Sequence, residues 1–144
     1  MRVYIAGDHA SVEIKDISKE HLKCLGYDVV DLGTNSHDSV DYPDYAHALT
    51  DKILEDNGSK GVLICGTGIG ISIAANRHAG IRCALCHDAN TASLAREHND
   101  ANVIAYGART NSPQNVKTML DAFFSTEFAG GRHEKRIKKI EIGE

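Results

Sequence analysis

The 144-residue sequence predicts an α/β fold, a single doubly wound domain with a five-stranded parallel sheet. Three observations predict it. Short apolar runs alternate with amphipathic segments along most of the chain. Runs such as Val62-Leu63-Ile64 and Val103-Ile104-Ala105 are continuously apolar rather than alternating, the pattern of strands covered on both faces. No linker, repeat or low-complexity stretch divides residues 1–144, a length that fits one domain with a real core. The implied arrangement is Rossmann-like, with right-handed crossovers between parallel strands.

The expected strands are Val3–Ala6, Asp28–Asp31, Gly61–Cys65, Arg82–Cys86 and Asn102–Ala105. Between the first two, Ile14, Ile17, His21, Leu22 and Leu25 share a helical face, with Gly26 placed to end the helix. Cys24, beside that stripe, is expected in the core. Ala46, Leu49 and Ile53 make the second stripe. Asp88 is an N-cap residue for a helix running to about His98. Ser112-Pro113 is a cap followed by a first-turn proline, opening a helix with Val116, Leu120 and Phe123 inward. A basic C-terminal helix is expected from about residue 131.

Composition excludes several classes of function. Net charge is −4, which gives no electrostatic case for nucleic acid or an acidic membrane as partner. No apolar run is long enough to span a bilayer, and the N-terminal apolar run is too short for a signal sequence, so a cytoplasmic protein is expected. Four cysteines raise the question of zinc. Cys83 and Cys86 are spaced C-x-x-C, but on a strand that spacing points the thiols to opposite faces, so no metal site is expected.

In doubly wound sheets the ligand lies beyond the carboxyl ends of the strands, so the loops after strands carry the chemistry. Cys65-Gly66-Thr67-Gly68-Ile69-Gly70 ends one strand and opens a helix. Glycines at alternate positions let backbone N–H groups turn toward an anion, and the helix start favours a thiolate at Cys65. The loop is neither a Walker loop nor a dinucleotide fingerprint. A buried strand cysteine before a glycine turn is its ordinary reading. Asp8-His9 ends the first strand; an acid there can hold sugar hydroxyls and an imidazole can meet a hydroxyl or phosphate. Arg132 and Arg136, four apart, converge on one helical face and suit a phosphate dianion, against the alternative of a solvated basic helix with a Glu134–Lys138 pair. His98, near a helix C-terminus, is favoured as a cation and suits a general acid, or is simply a capping histidine.

One placement follows from geometry. Connecting helices run antiparallel to the strands, so a helix from Asp88 carries His98 roughly 16 Å back from the ligand edge at 1.5 Å per residue. Cys65 and His98 of one chain are then too far apart to act together. A two-fold dimer brings one subunit's His98 over the other's Cys65.

The segments Gly7-Asp8-His9-Ala10, Asp41-Tyr42-Pro43, Cys65 to Asn76, Arg96 to Asn102 and Gly130-Gly131-Arg132-His133 occur in the order of one family. Over essentially all 144 residues the chain resembles the type B ribose-5-phosphate isomerases, whose relatives include galactose-6-phosphate isomerase subunits. The resemblance implies an aldose–ketose isomerase, interconverting ribose 5-phosphate and ribulose 5-phosphate through a cis-enediolate. It implies Cys65 as base, Thr67 assisting, and His98 opening the ring with support from Asp8. It implies His9, Arg132 and Arg136 at the phosphate, Arg109 as a further contributor, and Tyr42 and Asn99 lining the sugar pocket, with Gly66, Gly68 and Gly70 in the binding loop. No cofactor is implied, and the expected partners are a sugar phosphate and a second copy of the chain, as a homodimer or a tetramer. One branch of the family uses a glutamate base shortly after the glycine loop; here that position is Ile71, which points to the cysteine branch. Ser11 stands where the family commonly has glycine, a departure expected to touch only the first turn. Two alternatives stay open: an isomerase of a hexose 6-phosphate (a galactose-6-phosphate isomerase subunit or an allose-6-phosphate isomerase), and a sugar-phosphate-binding module without turnover.

Overall fold

The computed structural model describes residues 1–142. Five strands, β1 (Arg2–Gly7), β2 (Asp28–Asp31), β3 (Lys60–Cys65), β4 (Cys83–Leu85) and β5 (Val103–Gly107), form one parallel sheet in the order β2-β1-β3-β5-β4. The helices are α1 (Val12–Cys24), α2 (Tyr42–Glu55), α3 (Ile69–Ala75), α4 (Ala89–Asn99), α5 (Pro113–Ser125) and α6 (Arg132–Lys138). The succession of strands runs outward in opposite directions from β1 and β3, so the loops after those two strands flank the switch point where such sheets take ligands.

Both faces of the sheet are buried, as the continuous apolar runs require. Val3, Ile5, Val62, Ile64, Ile104 and Tyr106 pack on one side with α1, α4 and α5. Tyr4, Ala6, Leu63, Cys65, Val103 and Ala105 pack on the other with α2 and α3. The alternation along each strand follows the period-two placement of side chains. Cys83 belongs to the second cluster and Cys86 to the first, the opposite-face arrangement expected of that pair. Burial pushes the Cys86 thiol up to about 11 and the Cys83 thiol further still.

Local signals set the helix ends. Asp88 accepts from the Thr91 N–H at 2.7 Å while the Thr91 hydroxyl oxygen accepts from the Asp88 N–H, a reciprocal capping box. Ser112 accepts from the Asn115 N–H at 3.1 Å, with Pro113 in the first turn. Gly26, at φ +94°, takes the left-handed position just past α1.

Three expectations need correction. Cys24 is exposed rather than in the core, and Leu25 is 43% exposed, because α1 ends at Cys24 and the chain turns away before the stripe is completed. β4 is shorter than expected, spanning only Cys83–Leu85; Arg82 leaves the strand to bind the carbonyls of Asn99 and Asp100. β5 begins at Val103 and runs on to Gly107, past the expected end at Ala105. Among the described residues no helix is long and apolar enough to cross a membrane.

Candidate active site

Cys65 is the last residue of β3 and is 5% exposed. The Gly68 N–H donates to its Sγ at 3.2 Å, so a backbone dipole is aimed at the sulfur. This contact requires the loop to double back, and glycine alone permits it. Gly68 sits at φ +81°, and a methyl there would stand 2.6 Å from the Tyr106 carbonyl carbon. Backbone conformation and space both exclude a side chain. Thr67 Oγ1 accepts the Ile69 N–H at 3.2 Å, which leaves the hydroxyl proton able to donate outward.

The neighbouring loops close around this turn. The Arg109 N–H donates to Gly66 O at 3.0 Å, and the Arg109 guanidinium lies so close over Gly66 that a methyl there would meet Nη1 at 3.1 Å. Tyr42, at the start of α2, lies against Gly70, where a methyl would stand 2.6 Å from the ring. From β1, the Asp8 N–H donates to Ile64 O at 3.2 Å, tying this loop to the residue before Cys65. The Asp8 carboxylate accepts from Ala10 N–H at 3.0 Å, and the buried Ser11 hydroxyl donates to Asp8 O at 2.7 Å. Ser11 thus acts within its own turn. His9 Nδ1 accepts the Val40 N–H at 3.1 Å. With Nδ1 accepting, a neutral ring carries its proton on Nε2 as a donor. Cys65, Thr67, Asp8, His9, Tyr42, Arg109 and the three loop glycines therefore gather at one edge of the sheet.

The remaining residues gather elsewhere. α4 runs back along the sheet, and the Arg82 guanidinium, beside the start of β4, donates to Asn99 O at 3.0 Å and Asp100 O at 2.8 Å. His98 and Asn99 thus sit at the amino ends of the strands, opposite Cys65, as the antiparallel run of the helix requires. Asp100 ends α4 in the left-handed region at φ 45°, held by Arg96 at 2.9 Å and Arg82 at 3.3 Å. α6 packs beside this end. The Ala129 N–H donates to Glu97 O at 3.0 Å, and the His98 and His133 rings stack with centroids 4.3 Å apart. Arg132 and Arg136 lie on α6, which contains no buried residue. No Glu134–Lys138 ion pair forms among the described residues, so the alternative to a phosphate role lacks that support.

Sequence reasoning gave His133, the Val40 contact to His9 and the bond from the Gly7 N–H to Gly33 O at 2.7 Å no part. His133 was within reach, since it stands one residue after Arg132 in the Gly-Gly-Arg-His segment. The other two depend on a fold-level approach of loops that no local pattern encodes. His133 is held below the ordinary imidazole range, first by burial, then by His98, Arg132 and Arg136, with Glu97 opposing.

Beside the glycine loop, the apolar side chains Ile69 and Ile73 stand one turn apart on α3, 51% and 61% exposed. Thr67 and Ile69 also line a cavity of about 520 Å³ beyond the ends of β4 and β5, shared with Leu85, Asn111 and Asn115.

Residues 3–140 match the sequence model of the family described as Ribose/Galactose Isomerase. The chain is 41% identical over 133 residues to ribose-5-phosphate isomerase B of Escherichia coli K12, covering 92% of this chain and 89% of that one. Its fold superposes on a ribose 5-phosphate isomerase of Thermotoga maritima with a TM-score of 0.94, at 48% identity and 96% of each chain. It matches ribose-5-phosphate isomerase B of Mycoplasma genitalium, solved with bound ribulose 5-phosphate, with a TM-score of 0.93 at 42% identity, covering 96% of this chain and 93% of that one. Family match, identity and fold agree along nearly the whole chain, which therefore belongs to the Ribose/Galactose Isomerase family.

Proposed function

We propose that this chain interconverts ribose 5-phosphate and ribulose 5-phosphate, with Cys65 as the proton-transferring base. The observation that carries the reading is the Gly68 N–H aimed at Cys65 Sγ at 3.2 Å, in a loop with Tyr42 and Arg109 against its glycines. That backbone donor and the buried end of β3 fix the sulfur in one position, as a proton-transferring group requires. The relatives named as ribose-5-phosphate isomerases support the choice of substrate, and the ribulose 5-phosphate bound to the Mycoplasma genitalium protein supports the phosphopentose class.

The chemistry divides into two steps. The furanose opens when an acid protonates the ring oxygen and a base takes the proton of the 1-hydroxyl, which is the work assigned to His98. The thiolate of Cys65 then removes the C2 proton of the open aldehyde, and an enediolate forms with its charge facing the loop N–H groups. Transfer of the 2-hydroxyl proton to O1, with return of the carbon proton at C1, gives the ketose. Thr67 donates to a substrate hydroxyl, and Asp8, Tyr42 and Asn99 orient the sugar. His9 Nε2–H, Arg132 and Arg136 hold the phosphate, with Arg109 beside them; binding energy there is remote from the reacting carbons and positions them.

These groups lie at two edges of one chain, so the working unit is a homodimer in which the His98 edge of one subunit completes the Cys65 edge of the other. The exposed Ile69–Ile73 pair beside the loop supports a subunit contact at that place. Turnover by the purified chain alone on ribose 5-phosphate, allose 6-phosphate and galactose 6-phosphate tests the reading. Preference for ribose 5-phosphate is expected. Preference for a hexose phosphate overturns the substrate assignment, and binding without turnover of any of them overturns the enzyme.

A further inference from the structure

The chemistry above leaves His133 without a task, yet its placement is specific. Its imidazole lies nearly parallel to that of His98, with ring centroids 4.3 Å apart and planes 17° from parallel. Core packing does not dictate this, because α6 buries no residue. Two consecutive glycines, Gly130 at φ +68° and Gly131 at φ +59°, turn the chain back toward α4. The Ala129 N–H then bonds Glu97 O at 3.0 Å, one residue from His98, and the His133 N–H bonds Gly130 O at 3.2 Å to begin α6. Backbone and side chain together lay one ring flat on the other.

Partial burial and the charges of His98, Arg132 and Arg136, opposed by Glu97, favour neutral His133. A neutral ring can cover an imidazolium without setting two positive charges face to face, whereas two imidazolium rings would repel.

We propose that His133 is a positioning residue for ring opening, fixing the plane of the His98 imidazole by stacking so that its N–H meets the ring oxygen of the sugar. The inference rests on His98 being the ring-opening group. A half-buried histidine at a helix end has several χ1 and χ2 settings. Proton transfer requires one of them, within hydrogen-bond reach and aligned. A flat partner on one face removes the settings in which the ring swings out of plane and permits those that slide along it.

Ribulose 5-phosphate supplies a clean separation. Its carbonyl is at C2 and its C5 oxygen is esterified, so it cannot close to a furanose. Enediolate formation from it needs the base and not ring opening. Solvent deuterium entering C1 of ribulose 5-phosphate therefore reads the Cys65 step, while turnover of ribose 5-phosphate reads both. His133→Ala is expected to lower kcat on ribose 5-phosphate about tenfold by misplacing His98. KM and deuterium entry are expected to stay within about twofold, since neither ground-state binding nor the base is touched. His133→Phe, which keeps a flat ring without N–H or charge, is expected to restore most of kcat.

The inference is overturned if His133→Phe is as impaired as His133→Ala, because the imidazole then acts through its own nitrogen. It is also overturned if KM rises in step with the loss, which makes His133 a phosphate ligand, or if deuterium entry falls as far as turnover. His98→Ala, measured alongside, tells the two failures apart. If His98→Ala spares turnover, or slows turnover and deuterium entry equally, the assignment of His98 fails and the role of His133 falls with it. If His98→Ala is selective for ribose 5-phosphate and His133→Ala is not, the His133 inference alone fails.

Discussion

The two edges of the sheet are built by opposite means. At the Cys65 edge the geometry is held from within. Cys65 is the buried end of a central strand, Gly68 has no room for a side chain, and the loops after β1 and β5 are bonded to Ile64, Cys65 and Gly66. At the His98 edge the groups stand at the surface. α6 buries nothing; its His133 ring stacks on His98 of α4, and the Ala129 N–H in the segment leading into α6 bonds Glu97 O. A proton-transferring base, the role proposed for Cys65, needs a fixed, water-poor setting of the kind the core supplies. The phosphate clamp and acid proposed at the other edge stand at the surface, where a neighbour could dock. The difference teaches that, under the proposed mechanism, one chain would carry two half-sites of unlike rigidity.

The largest expected effect sharpens the buried half. Cys65→Ala is expected to lower kcat by about 10³-fold, the scale of a general base, while leaving substrate affinity and thermal stability close to wild type. Calorimetric titration with ribose 5-phosphate beside steady-state kinetics measures both. Near-normal turnover removes Cys65 from the mechanism. Thiol alkylation must be read on a Cys24→Ser background, because Cys24 is the exposed thiol and would react without touching the site.

The division into two half-sites breaks if inactive chains cannot complement each other. Equal amounts of Cys65→Ala and His98→Ala subunits, dissociated and reassembled, give half mixed dimers. Each mixed dimer holds one intact site, so about a quarter of wild-type activity is expected. Verified subunit exchange with no recovery means that the site is built within one chain.

Next in size are the arginines. Arg132→Ala and Arg136→Ala each remove a charge-assisted contact worth about 1.5–3 kcal/mol, so KM is expected to rise about ten- to a hundredfold with kcat less affected. Wild-type KM in both variants places the phosphate elsewhere and returns α6 to the role of a solvated helix.

How far the sequence announced these features follows from where the information resides. The β3–glycine–α3 turn was readable because its constraints are local: three alternate glycines after an apolar run admit few backbones. The placement of His98 opposite Cys65 was readable because a helix of known rise leaves no choice of where it ends. Cys24 and Leu25 were misplaced because a stripe does not say at which residue the helix stops, and Gly26 acts two residues after the last helical one. The Val40 bond to His9 and the stack of His133 on His98 were not readable, since each joins segments tens of residues apart whose approach the whole fold decides.

The smallest expected effect is a pH response confined to the surface half. His133 is held below the ordinary imidazole range, first by burial and then by His98, Arg132 and Arg136, with Glu97 opposing. A depressed value means that the docked α6 favours neutral His133. Docking is therefore fully favoured above the ordinary imidazole pKa of about 6.5 and weakens as pH falls through it, because the undocked segment takes up the proton first. The Ala129 amide, bonded to Glu97 O at 3.0 Å, reports this contact directly. Its hydrogen exchange, corrected for intrinsic rates, is expected to lose protection between pH 7.5 and 5.5 by about two- to threefold, a modest change for a half-exposed group. The Gly68 amide, bonded to Cys65 Sγ, serves as the internal control for loss of the fold as a whole. His133→Phe is expected to abolish the dependence at Ala129 while keeping the stack. A flat Ala129 profile in wild type removes the titration from α6 docking, and an equal dependence in His133→Phe moves it to another group of the same cluster.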